Sequence, residues 1–396
     1  MSNPTPPFRI ASLVGSVFIP STLYSIGEYA LIPVIPASAE RLGASIPLAG
    51  FIAGMVMFGL LLADLPAARL VASIGERKAM AWASVSAFVA VLLGFLVQNI
   101  WVLGLAVTIV GSSSAVFYLA RHAYMTEHVP HSHRARALSL LGGTFRAGAF
   151  IGPLVSAGII ALFGVPAVFV FSLVVWVATA LSLVTTKDDR VFEPSPTPMR
   201  HTFQVAYRER KKLATVGVGA MMIGVLRTTR QIGLPLWAIV IGLSPDKSTF
   251  YIGIAAIIDF ALFYTSGQIM DRFGRRASAV PTMIGLGLTH IGLFLATNEP
   301  MFLVLAVLMS LANGLGSGLV LTLGSDLAPA DARSEFLAGY RLLIDTGVAA
   351  APPVLSLMAA TIGLAAGMAS FGVLGLGSVW LMYRYIPVYA KSPAQS

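Results

Sequence analysis

The sequence predicts an all-α integral membrane protein, with twelve transmembrane helices arranged as two pseudo-symmetric six-helix bundles. Three observations carry this expectation. Of the 396 residues, 57% are hydrophobic and only 11% are charged, and the mean hydropathy is +0.83, a balance outside that of water-exposed domains. Apolar runs of about 18 or more residues, each sufficient for a helix to cross a hydrocarbon core of about 30 Å, recur along the chain. A single long polar segment and a constant residue offset divide these runs into two sets.

The runs cover 10–36, 47–70, 79–97, 100–121, 137–162 and 166–184, then 213–241, 249–270, 277–297, 301–324, 335–361 and 367–385. Span one carries Glu28 and ends at Pro36, span two carries Asp64 near its end, and span five carries Arg146. Span seven holds Arg227, Arg230 and Pro235, span eight Asp259, and span eleven Arg341 and Asp345. The polar segment 187–212 (KDDRVFEPSPTPMRHTFQVAYRERKK) separates the sets and reads as a cytoplasmic linker between a bundle at 1–186 and a second at 213–396. Its final part, HTFQVAYRERKK, fits a short amphipathic helix on the membrane surface.

Lys and Arg orient the chain. With the N-terminus inside, 20 of the 26 fall in cytoplasmic segments, Arg121 at the end of span four among them. Only Arg41 and Lys247 fall outside, and four lie within spans. That asymmetry predicts a multi-pass protein with both termini cytoplasmic. The net charge of +9 is then a topology signal facing anionic headgroups, and no nucleic acid is expected as a partner. The lack of cysteine excludes disulfides and thiol catalysis. Ala37-Ser38-Ala39 resembles a signal-peptide cleavage site, but the apolar region before it is too long and further spans follow.

Special residues superimpose at an offset of 199. Gly75 and Arg77 fall on Gly274 and Arg276, Gly148 and Pro153 on Gly347 and Pro352, and Pro36 on Pro235. Three motif pairs at one offset indicate parallel repeats, an architecture of transporters that places the substrate site near mid-membrane between the repeats. Proline-interrupted helices at matching positions, spans one and seven, point toward it.

The run GQIMDRFGRR, Gly267 to Arg276, closely resembles the cytoplasmic loop signature of the major facilitator superfamily. Gly274 supplies a tight turn, Asp271 can take an ion pair, and Arg272, Arg275 and Arg276 hold the loop inside. The first-half loop, ARLVASIGERK, is degenerate, with Ala72 where the second half has Asp271; Asp64 is a candidate replacement. RAGAFIGPLVSAG, Arg146 to Gly158, resembles the span-five signature of proton-coupled antiporters, chiefly drug exporters. Gly148 and Gly152 permit close helix packing there, and Pro153 gives a place to bend. Glu28 matches the acidic residue that drug:proton antiporters often carry in span one. One departure stands against this subfamily, since Val107 occupies the place of its span-four arginine. The resemblance implies a monomer in a bacterial inner membrane.

Charges inside spans are functional by default and must be paired or face water. In the resembled fold span five faces span eight and span two faces span eleven, so depth matches Arg146 with Asp259 and Asp64 with Arg341 as charge latches between the bundles. Arg341 and Asp345, four apart, could instead pair with each other. Arg227 and Arg230 share one face, and one of them could meet an anionic substrate or cover backbone carbonyls near Pro235. For proton coupling a buried carboxyl without a cationic partner is needed, because a firmly paired one stays ionised. Glu28 is the first choice, ahead of Asp259 and Asp345. Tyr24, Tyr29, Phe117, Tyr118, Trp237 and Asn313 are candidates to line a cavity. His128, His131 and His133 have the composition of a metal site, but an arginine-rich loop is better read as solvated.

No catalytic constellation or phosphate loop is present, so no enzyme activity and no cofactor is expected. The expected activity is secondary active transport by alternating access, with a small molecule and protons as partners. Proton-coupled efflux of a drug-like or metabolic compound is the first reading, and carriage of an organic anion or anionic lipid headgroup through Arg227 and Arg230 the second.

Overall fold

The computed structural model describes residues 13–184 and 199–390, without the side chains at positions 65, 131, 132, 134–136, 199 and 200. The linker residues 187–198 and the side chain of His131 therefore lie outside the described residues.

All described elements are helical. In order they are α1 (Ile19–Leu31), α2 (Ile35–Arg41), α3 (Ile46–Ile74), α4 (Glu76–Leu96), α5 (Ile100–His128), α6 (His131–Phe163), α7 (Pro166–Val184), α8 (Met199–Arg208), α9 (Arg210–Lys212), α10 (Val218–Val240), α11 (Pro245–Phe273), α12 (Arg275–Ile291), α13 (Glu299–Leu315), α14 (Leu319–Leu327), α15 (Arg333–Thr361) and α16 (Leu364–Tyr389). Among the described residues, eleven helical stretches are long and apolar enough to cross a membrane. The twelfth is α10, whose 23 residues are ample at about 1.5 Å each. Arg227 and Arg230 in its middle lower its hydropathy.

Two spans are interrupted for local reasons. The first passes from α1 through a 3-10 turn, Ile32–Val34, into α2, because Pro33 and Pro36 remove backbone donors that a continuous α-helix needs. The tenth breaks between α13 and α14 at Gly318, whose φ is 77°.

By contact the chain forms two compact units, Met1–Leu31 with Phe58–Pro194, and Ile32–Met57 with Ser195–Ser396. This division differs from the expected boundaries at 186 and 213, since 32–57 groups with the second unit. The packing of α3 gives the reason. A Cβ on Gly54 would lie 2.0 Å from Pro352 Cβ, and one on Gly50 2.9 Å from Leu236 Cδ1, whereas one on Gly59 would lie 2.0 Å from the Thr108 carbonyl oxygen. The first turns of α3 thus pack on α10 and α15, and later ones on α5.

The offset of 199 runs deeper than the sequence motifs. Positive-φ glycines recur as Gly43 and Gly242, Gly75 and Gly274, and Gly164 and Gly363. At the α3–α4 and α11–α12 turns, Gly75 has φ 83° and ψ 156° and Gly274 φ 84° and ψ 165°, a conformation closed to side chains with a Cβ. Asn99 and Asn298 cap α5 and α13, each side chain accepting from the first-turn backbone, as the orphan N–H groups of a helix start require.

After the linker, α8 packs on α15. Ala206 Cβ lies 3.2 Å from where a Cβ on Gly339 would sit. Arg208 Nη1 reaches Asp331 Oδ2 at 2.8 Å, and Lys212 Nζ bonds the Leu327 carbonyl at 3.1 Å. Phe203 and Tyr207 stay exposed, one turn apart on α8, in keeping with an amphipathic helix.

Candidate functional site

Each unit holds a buried polar cluster among its described residues. In the first, α1 supplies Tyr24 and Glu28, one turn apart, and α5 supplies Ser114, Tyr118 and Arg121, on one face at helical spacing. Ser114 Oγ donates to Glu28 Oε1 at 2.7 Å, and the Tyr118 hydroxyl donates to Oε2. Tyr24 Oη lies 3.2 Å from Ser114 Oγ. With the single Ser114 proton committed to Glu28, Tyr24 is the donor, and the three groups form one chain.

Burial makes this cluster consequential. Glu28 is 4% exposed, and Tyr24, Ser114, Phe117 and Trp176 are fully buried. Tyr24 stacks on Phe117 with centroids 4.0 Å apart, and Trp176 Nε1 bonds the Tyr24 carbonyl at 3.4 Å. Tyr24 and Phe117 are therefore packing residues, not lining for an open cavity. Tyr29 and Tyr118 each meet Phe145 edge-on, at 5.3 and 5.6 Å.

Arg121 stands elsewhere than the sequence suggests. Hydropathy puts it at the cytoplasmic end of span four, but α5 continues to His128 and Arg121 is 9% exposed. Its guanidinium carbon sits 4.5 Å over the Tyr118 ring, and its Nη1 is buried with no hydrogen-bond partner among the described residues. The spacing Ser114, Tyr118, Arg121 is the available signal, hidden because a hydropathy window stops at the first charge.

The span-five glycines hold the turn that carries Glu28. A Cβ on Gly148 would meet Ser25 Cβ at 2.4 Å, and one on Gly152 would meet the Ala30 nitrogen at 2.7 Å and the Ile26 oxygen at 2.9 Å. So α6 lies against α1 on both sides of Glu28 with no room for side chains. Pro153 follows inside the same helix. Arg146, two turns before Pro153, is half-buried on α6.

In the second unit α10 supplies Arg227 and Arg230, α11 Asp259, and α13 Ser310 and Asn313. Arg230 Nη2 bonds Asp259 Oδ2 at 3.0 Å, and its Nη1 bonds Ser310 Oγ at 2.8 Å. Asn313 Nδ2 donates to the same Asp259 oxygen. Arg227 Nε donates to Asn313 Oδ1 at 2.7 Å and its Nη2 to the Gly316 carbonyl at 2.8 Å. Asp259 thus has an arginine of its own unit as a partner, a contact that depth along the sequence does not point to, because depth ignores the direction in which side chains leave a helix. On its own helix Arg341 Nε bonds Asp345 Oδ2 at 3.2 Å. Asp64 is half-buried on α3.

Trp237 is also committed, its indole N–H donating to the Ala296 carbonyl at 2.8 Å. Nearby, Pro235 sits inside α10 and Pro36 at the start of α2. In the loop signature, Arg275 pairs with Asp326 at 2.8 Å and more loosely with Asp271 at 3.7 Å. Arg272 and Arg276 stack on Phe273 and Tyr383. Among the described residues no group of His, Asp or Glu has metal-site geometry.

The two clusters are related by the repeat. Glu28 and Ser114, bonded in the first unit, fall on Arg227 and Asn313, bonded in the second. The contact persists while the charge is inverted.

Comparison with known proteins agrees with this architecture. No curated protein sequence matches the chain. Among solved structures it is similar to a bacterial homologue of the human lysosomal transporter Spinster, in an inward-facing, unoccupied conformation, with a TM-score of 0.79, 16% identity, and coverage of 98% of this chain and 100% of that one. It is also similar to a POT family transporter in complex with a thioalcohol-conjugated peptide, at TM-score 0.77, 11% identity and coverage of 94% and 96%. A D-xylose-proton symporter aligns at TM-score 0.73, 16% identity and coverage of 96% and 98%. The family model of the Major Facilitator Superfamily matches residues 17–298 and 234–396. With helices of membrane-crossing length, matching repeats and a family match over nearly the whole chain, the protein belongs to the Major Facilitator Superfamily, as a multi-pass membrane transporter and not an enzyme.

Proposed function

We propose that the protein exports a small drug-like or metabolic compound in exchange for protons, by alternating access, with Glu28 as the group that loads and releases the proton. One observation carries this reading. The carboxyls of Asp259 and Asp345 each have an arginine within ion-pair distance, whereas Glu28 is held by two hydroxyls and has no ion-pair partner among the described residues. Hydroxyls can serve either protonation state, donating to a carboxylate or accepting from a carboxylic acid. A guanidinium, with donors only, holds its partner ionised.

The surroundings of Glu28 support coupling to movement. Gly148 and Gly152 grip the α1 turn that bears it, so bending of α6 at Pro153 acts on the carboxyl directly. The antiporter-like signature around Arg146 favours exchange, and one of the similar solved structures is a proton symporter. The alternative cargo, an organic anion or anionic headgroup taken by Arg227 and Arg230, loses support because both guanidiniums are engaged by Asn313, Gly316, Ser310 and Asp259. The lysine and arginine distribution supports cytoplasmic termini, and the resemblance to bacterial drug exporters supports a monomer in an inner membrane.

The test is proton movement in proteoliposomes under an imposed pH gradient, with cationic, neutral and anionic compounds and with Glu28→Gln beside wild type. The expected result is that a cationic or neutral compound dissipates the gradient through wild type only. Dissipation by anions alone, or wild-type coupling in folded Glu28→Gln, would overturn it.

A further inference from the structure

The first unit contains a buried cation that the proton reading leaves unused. Arg121 on α5 is 9% exposed, and its guanidinium carbon lies 4.5 Å from the Tyr118 ring centroid and 5.9 Å from that of Phe145. Its Nη1 is buried without a hydrogen-bond partner among the described residues. A ring face answers part of a guanidinium's charge. It leaves the in-plane N–H donors unmet, and a cation inside a span is costly unless an anion or water meets it.

An arginine with a structural partner presents its fork to a carboxylate, as Arg230 does to Asp259 at 3.0 Å in the second unit. The acid that acts on Arg121 is Glu28, yet both Glu28 oxygens are engaged elsewhere, Oε1 by Ser114 and Oε2 by Tyr118. Tyr118 thus serves both charges, its hydroxyl on the carboxyl and its ring face on the guanidinium. The separation preserves two functions. Direct pairing would hold Glu28 ionised, and it would consume the donors of Arg121.

We propose that Arg121 binds a carboxylate of the transported compound, so that the cargo is a small amphoteric molecule whose anionic group meets Arg121 and whose amine meets Glu28 once the proton has left. The two acceptor oxygens of a carboxylate match the planar fork of a guanidinium. The assignment of the amine rests on the export reading above, in which Glu28 alternates between acid and carboxylate. Such a cargo is neutral overall, within the classes that reading expects.

The surroundings suit a compound of this kind. Tyr29, Tyr118 and Phe145 are half-buried, and both tyrosines meet Phe145 edge-on, at 5.3 and 5.6 Å. Aromatic surface therefore lies beside both charged groups. A mainly apolar and aromatic wall with a few polar groups to fix orientation is the usual make-up of a small-molecule site.

The experiment is ligand titration by thermal shift on the full-length purified protein, with no gradient imposed. The probes are phenylalanine, phenethylamine, which lacks the carboxylate, and phenylpropionate, which lacks the amine. Wild type is expected to bind phenylalanine most tightly. Arg121→Gln should lose roughly tenfold or more in affinity for the two carboxylates, which removes the advantage of phenylalanine over phenethylamine, whereas Glu28→Gln should act most strongly on the two amines. No partner is stranded by Arg121→Gln, so it should fold with an undiminished melting temperature. If it folds poorly, Arg121→Lys, which keeps the charge and loses the fork, should still bind both carboxylates more weakly than wild type. Equal affinity of wild type for phenylalanine and phenethylamine, binding of none of the three probes, or carboxylate binding left intact by the Arg121 variants would overturn the proposal. If carboxylate binding depends on Arg121 while proton exchange fails in proteoliposomes, the export reading falls and the carboxylate site stands.

Discussion

The carboxyl of Glu28 rests on a serine and a tyrosine, and that of Asp259 on a guanidinium and an amide. Substitutions should separate these cases. Arg230 and Asp259 have side chains only 18% and 13% exposed, and removing one partner of a buried pair costs about 3–5 kcal/mol because the other charge is stranded. Arg230→Met and Asp259→Leu should each lower thermal stability in detergent by roughly that order, while the double variant loses less than the sum, since neither charge is then unpaired. Additive losses would show that the pair does not interact in the folded protein. At Glu28, Tyr118→Phe removes one donor to the carboxylate at constant shape, worth about 1.5–3 kcal/mol for a bond to a charged group. The expected outcome is preserved folding with proton-coupled flux shifted to more alkaline pH, read from the pH profile of transport. The legibility of the two clusters differs for a physical reason. Glu28 stands out because a lone acid in an apolar run is conspicuous, whereas the Arg230–Asp259 pair depends on the azimuth of side chains on separate helices, which depth along a sequence does not encode.

At the scale of helices, α6 contrasts two kinds of glycine. Gly148 and Gly152 are backbone contact points on α1, but a Cβ on Gly158 would meet nothing within 4 Å. Gly152→Ala should therefore cost about 1–3 kcal/mol by overpacking, and Gly158→Ala should be neutral or gain up to about 1 kcal/mol from helix propensity. Melting temperatures of the two variants, measured together, check this; equal effects would mean that the α1–α6 contact relaxes freely. The RAGAFIGP motif is legible as a packing surface, but its partner helix is not, because small residues specify how close a neighbour comes and not which neighbour it is. The helix α8 and its exit offer a pH test. The Lys212 ammonium, hydrogen-bonded to Glu209, holds the Glu209 carboxyl below its ordinary value, with burial opposing and Arg208 adding to the effect. A depressed acid contributes stability above its unfolded value, and that contribution is lost as pH falls through the folded one. For a surface pair this amounts to about 1 kcal/mol at most. Glu209→Gln should lower the melting temperature slightly at neutral pH and not at pH values below the carboxylate range. The same deficit at acid pH would show that the pairing is not its source.

Across the whole molecule the repeat is legible wherever the backbone itself makes a demand. A turn at positive φ needs glycine and a helix start needs a cap, whatever packs around them, so Gly75 and Gly274, and Asn99 and Asn298, keep both residue and role. Side chains that the backbone does not dictate are free to trade, and the repeat hides them. Glu28–Ser114 has become Arg227–Asn313, and Glu76 and Glu127 stand at the positions whose counterparts in the second unit pair as Arg275–Asp326. The same exchange occurs in size. In the first unit Gly27 makes room for Trp176, whose Nε1 would be 3.0 Å from an added Cβ; in the second, Gly375 makes room for Leu226, whose Cδ1 would be 2.7 Å away. Gly27 falls on Leu226 and Trp176 on Gly375, both at the offset of 199 residues, so the large partner has moved from one helix to the other. If the two helix crossings are equivalent, the exchange should be reversible by design. Gly375→Trp alone drives an indole into Leu226 and should cost about 1–3 kcal/mol or more. Adding Leu226→Gly opens the space that Gly27 provides in the first unit, and should recover most of the lost melting temperature even though glycine in a helix costs about 1 kcal/mol. Recovery would mean that the two crossings share one geometry with interchangeable filling. A double variant no more stable than Gly375→Trp would mean that the α10–α16 contact has diverged in backbone as well as in side chains, and that the repeat survives only at its turns and caps.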